Sequence, residues 1–176
     1  MRLLGNKKGL SVVVTTLIIL VVSVLLATVV TFYAINVTTT RVQEEYLQIT
    51  ELHVWCTNDG DASAAFIVTN TGGRDVVIDK ITVRGRTAES QNIYYWKLDD
   101  NDTLPTELTW VESGDALGDD YAQLGSNALI LPSGNRMVVY IFGLNHISTN
   151  DIGVTVGVVI FTANAQYHKE ANVEAA

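Results

Sequence analysis

Three histidines, His53, His146 and His168, and one cysteine, Cys56, are the side chains in this sequence best suited to nucleophilic or metal chemistry. His53 and Cys56 stand three apart in a run that reads as a strand. Odd spacing sets them on opposite faces, so no Cys–His dyad is expected. Gly-x-Ser-x-Gly, His-Glu-x-x-His, P-loop and paired-cysteine patterns are all missing from the sequence. A lone cysteine forms no internal disulfide, and Cys56 is expected as a small buried apolar residue. Oxygen donors gather in Asn58-Asp59-Gly60-Asp61 and Asp99-Asp100-Asn101-Asp102, a chemistry that suits a hard cation such as calcium. Neither has the spaced ligands and closing Glu of a calcium loop, so both read as solvated acidic turns. No catalytic, cofactor or metal site is expected, and the chain is not expected to be an enzyme. Two Asn-x-Ser/Thr tripeptides begin at Asn36 and Asn101 and are candidate glycosylation sites.

The remaining chemistry concerns processing and packing at the N-terminus. Formal net charge is −8. Arg2, Lys7 and Lys8 are the charges of the first nine residues, and removing them leaves eight bases against nineteen acids, a net of −11. So acidic an exterior argues against nucleic acid as a partner and suits solubility outside a cell. From Leu10 to Ile35 nothing is charged, and only Ser and Thr interrupt the apolar residues. That run exceeds the ~20 residues a bilayer core demands. Basic residues before it and Glu44, Glu45 and Glu51 after it place the N-terminus in the cytoplasm and the rest outside.

An ordinary secretory signal has a short apolar core closed by a small-residue cleavage site. Here the apolar run is about twice as long, and Lys7-Lys8-Gly9 precedes it. In this the sequence resembles the precursors of type IV pilin-like proteins, archaeal pilins and archaellins in particular. The resemblance implies a prepilin-type leader cut by a membrane-embedded peptidase between Gly9 and Leu10, with Lys7 and Lys8 just before the cut and the helix retained. Bacterial members carry Glu at the fifth mature position, which is Val14 here, so the resemblance points to the archaeal branch.

Thr16, Ser23, Ala27, Thr31 and Ala34 lie along one helix face. Small residues let backbones approach, and such stripes are where helices associate in apolar surroundings. Outside lipid the same surface must be buried by neighbouring copies, which would give a polymer its cohesion.

From about Tyr46 the pattern changes to short β-branched and aromatic runs separated by Gly, Asn and Asp. Seven strands are predicted: Leu47–Cys56, Ala64–Thr69, Val76–Arg84, Ile93–Leu98, Ala128–Leu131, Arg136–Phe142 and Gly153–Thr162. Asn70 to Asp75 reads as a hairpin turn between the second and third. Asp99 to Gln123 reads as a long exposed loop with Trp96 and Trp110 at its ends. The expected class is α+β: a long N-terminal hydrophobic helix followed by an all-β antiparallel sandwich head. The expected organisation is a cleaved leader over 1–9, a hydrophobic helix over 10–45 and an extracellular head over 46–176. The head's "IDKITVRG" run (78–85) after a Val-x-Asn-x-Gly turn is also similar to archaeal pilin head strands.

Together these readings describe a structural subunit of an extracellular, adhesive type IV pilus-like filament on the cell surface. Its partners would be copies of itself, the prepilin peptidase and assembly machinery, and the membrane as precursor. The alternatives are an archaellin of a motility filament and a binding module anchored by a single uncleaved helix.

Overall fold

The computed structural model describes residues 7–42, 44–98 and 102–176. It falls into two units, one ending at Val42 and one running from there to Ala176. The first is a single helix, α1 (Lys7–Val42), about 54 Å long at ~1.5 Å per residue. Val, Ile and Thr are indifferent helix formers; this helix lacks Pro altogether, and Gly9 in its first turn is the sole Gly.

The second unit is a curled sheet built from β1 (Leu47–Cys56), β2 (Ala62–Asn70), β3 (Val76–Val83), β4 (Arg86–Thr87), β5 (Ile93–Leu98), β6 (Ala122–Gln123), β7 (Leu129–Leu131), β8 (Arg136–Ile141), β9 (Thr155–Thr162) and β10 (Gln166–Ala175). The hydrogen-bonded path runs β4-β3-β9-β10-β1-β2-β8-β5-β6, with β7 also on β3. All pairs are antiparallel except β1 with β10. The α+β class and the β-rich, mainly antiparallel head are as expected. The path is continuous and curls as a half-barrel, where two separately bonded layers were expected.

Two β-bulges help to curl it. In β1, Leu47 and Ile49 face the core, and so do Leu52, Val54 and Cys56. The parity change falls at a register shift between Thr50 and His53, where Glu51 has φ +46°. In β3, Val76 and Ile78 face inward, Asp79 and Lys80 outward, and Ile81 and Val83 inward again across a second shift. An imperfect alternation in the sequence is thus a bulge in the structure.

The inner face holds one core in which Phe66, Val68, Met137, Val139, Ile141, Val158 and Ile160 are fully or almost fully buried. A second apolar cluster lies on the other side of β2, β8 and β5, made by Trp55, Ala65, Ile67, Val138, Tyr140, Leu98 and Leu108.

Three expectations are corrected. Asn70 to Asp75 is no hairpin turn: β2 pairs with β1 and β8, whereas β3 pairs with β4, β7 and β9. Both strands direct apolar residues into one core, and the turn carries the chain across the mouth of the curl. The segment after Leu98 is no freely exposed loop, since Leu108 is buried and Leu104, Trp110, Val111, Leu117 and Tyr121 pack on the outer cluster. Without that cover the outward Ile67, Val138 and Tyr140 would face water. Finally, β4, β6 and β10 were not anticipated. β10 lacks an apolar run, and of its residues only Val173 is fully buried.

Candidate functional site

The feature of α1 that could do something is its surface. Every residue from 9 to 39 is exposed, including Leu10, Val14, Leu25, Phe32 and Tyr33. The helix is long and apolar enough to cross a membrane. Its apolar residues go all the way round, whereas a helix lying on a soluble core is apolar along one stripe only.

Five of the hydroxyls on this surface are spent locally. Thr15 Oγ1 donates to Ser11 O at 2.9 Å, Thr16 Oγ1 to Val13 O at 2.9 Å, Ser23 Oγ to Ile19 O at 2.6 Å, Thr28 Oγ1 to Val24 O at 2.8 Å and Thr31 Oγ1 to Ala27 O at 2.8 Å. A hydroxyl bonded to its own helix can enter lipid or a helix bundle without an unmet hydrogen bond. Thr16, Ser23, Ala27, Thr31 and Ala34 fall within about 80° of arc at ~100° per residue. Gly9 and Leu10 lie in the first turns of α1, beside Lys7 and Lys8. Asn36 is exposed on the helix; Asn101 lies outside the described residues.

No family model matches the chain, and no curated protein matches it.

The functional reading therefore rests on the physics of α1 and of the head. Residues with chemical potential in the head have structural partners. His53 Nδ1 lies 3.0 Å from Glu174 Oε1 and its ring stacks on Trp55 at 5.4 Å. Cys56, on the opposite face, is buried in the inner core. Burial pushes its thiol pKa up, with Asp151 and Asp61 adding to the effect, so the nucleophilic thiolate is disfavoured. His146 Nε2 lies 2.8 Å from Val83 O, and His168 Nε2 is 3.6 Å from Glu170 Oε1. Among the described residues no three His, Cys, Asp or Glu side chains are grouped as a metal site. The Asn58–Asp61 stretch closes a turn by Thr57 N to Asp61 O at 2.8 Å and Gly60 N to Thr57 O at 3.1 Å.

Sequence reasoning missed two polar constructions. Asn70, buried completely, donates from Nδ2 to Arg74 O at 2.8 Å and Leu131 O at 3.0 Å, and accepts Gly72 N at 3.0 Å. It ties the β2–β3 crossing to the β7–β8 turn, where Gly134 N also reaches Asn70 O at 2.9 Å and Ser133 Oγ reaches Gly72 O at 2.6 Å. The second is Arg84, at φ +50°, whose Nη1 bonds Asp151 Oδ2 at 2.9 Å. That bond, with those from Ser148, holds the Asp151 carboxyl down at about 2. An Asn flanked by turn residues was the available signal for the first; the second joins residues 67 apart and left none.

Proposed function

We propose that the chain is a structural subunit of an extracellular type IV pilus-like filament, with α1 helices packed in its interior and acidic, sandwich-like heads facing water. The observation that carries this reading is a helix apolar on every side, with the hydroxyls of Thr15, Thr16, Ser23, Thr28 and Thr31 bonded to its own backbone. Such a rod suits lipid as a precursor and identical rods after release, because in both settings those five hydroxyls are not stranded. The basic Lys7-Lys8-Gly9 flank supports it, since a cut there discards the charge and keeps the rod. An adhesive role fits a head that is stable without disulfides and strongly acidic.

N-terminal sequencing of the protein recovered from its native cells, with negative-stain microscopy of their surface, tests the reading. Fibres whose subunits begin at Leu10 are expected, and Gly9→Phe should leave unprocessed precursor in the membrane and no fibres. A monomeric membrane protein that keeps residues 1–9 would replace this reading with the single-pass binding module.

A further inference from the structure

Ser63 stands out on the outer side of the sheet. It is 3% exposed, and its Oγ is buried with no hydrogen-bond partner among the described residues. A buried hydroxyl left so costs stability, and groups of this kind ordinarily meet a water or a ligand. Parity with Ala65 and Ile67 turns Ser63 away from the inner core. On that side a cleft of about 260 Å³ opens between Asp61, Ser63, Trp110, Glu112, Phe142 and Asn145. Trp110 and Phe142 are half-buried and held by the outer cluster, Phe142 lying 5.7 Å from the Tyr94 ring and 6.2 Å from that of Tyr140.

We propose that this cleft binds one non-acidic hexose unit of a carbohydrate. Aromatic surface accepts the C–H face of a sugar ring. The Asp61 and Glu112 carboxylates accept hydrogen bonds from hydroxyls, while Asn145 and Ser63 both donate and accept. The volume admits a single hexose. Two carboxylates repel uronic and sialic acids. A quaternary ammonium would suit the aromatics and the acids, but it has no hydrogen-bonding atom for Ser63 or Asn145, so the polar groups favour a polyhydroxyl ligand. The inference uses only the head and stands whether or not the chain forms filaments.

The test is an NMR titration of the full-length chain in a sugar-free polyoxyethylene detergent, following the Trp110 indole N–H. The probes are methyl α-glucopyranoside, methyl α-mannopyranoside and N-acetylglucosamine, each to ~100 mM, against glucuronate and tetramethylammonium. At least one neutral sugar should shift the signal saturably, with Kd on the order of 1 mM. Ser63→Ala should keep or raise Tm, because it deletes an unpaired buried group, and yet weaken binding several-fold. Trp110→Ala should abolish it, read in that variant from the backbone amide signals of Ser63 and Asn145 in place of the missing indole. The proposal fails if no sugar saturates the signal, if glucuronate or tetramethylammonium binds as tightly as the best sugar, or if Ser63→Ala leaves affinity unchanged.

Discussion

Asn70 illustrates what one residue contributes to this head. Its amide satisfies two carbonyls and one N–H where the chain crosses between the halves of the curl. Removing it strands those groups, so Asn70→Ala should cost roughly 3 kcal/mol in chemical denaturation. Asn70→Asp should cost more at neutral pH, since a carboxylate would then face the oxygens of Arg74 and Leu131; a milder effect of Asp than of Ala would refute this account. Tyr121 reports on the segment that covers the outer cluster. Burial, and then Tyr140 and Asp120, push its phenol up to about 12 from 10.0. Because the folded value lies above the unfolded one, the contribution is intact below pH 10 and fades as pH rises towards 12. Ultraviolet titration should therefore find a tyrosine that ionises last, near pH 12; complete ionisation of all tyrosines by pH 11 in folded protein would contradict the burial.

At the scale of elements, the rod and seven of the strands were legible because each is a run of apolar or β-branched residues with turn signals at its ends. Strand partners were not. Asn70-Thr71-Gly72-Gly73 carries hairpin chemistry, and nothing local records that the curl places β8 between β2 and β5 and β9 between β3 and β10. β10 was hidden because Lys169 shares its inward parity with Tyr167, Ala171 and Val173; the Lys169 Nζ escapes by donating to Ile49 O at 3.1 Å. An alternation search tolerating one lysine among Tyr167, Ala171 and Val173 would have found it. The small-residue face of α1 was readable from spacing alone, whereas the locally bonded hydroxyls depend on side-chain rotamers that spacing does not record. In the filament reading that face sets how closely rods approach. Ala27→Phe is expected to cut fibre yield severely while the head's melting temperature stays within about 2 °C, because the substitution lies outside the head's cooperative core. Undiminished fibres from Ala27→Phe would remove the role given to this face.

The molecule as a whole joins a rod that needs apolar surroundings to a head with its own core. Residues 44–176 expressed alone are expected to unfold in one cooperative transition and to stay monomeric in sedimentation, while the full chain requires detergent; self-association of the excised head would move the assembly contacts from rod to head. One arrangement in that head has a consequence for the order in which it is made. β10 lies between β9 and β1, and its short parallel register, Val54 with Val173, Trp55 with Glu174 and Cys56 with Ala175, is the ladder that links the two halves of the sheet. During synthesis the ribosome delivers that strand after all the others. Until then β1 and β9 each present a bare edge, open to any extended chain nearby. Nascent heads thus pass through a sticky interval that ends only when residues 166–175 arrive, long after the rod has left the ribosome.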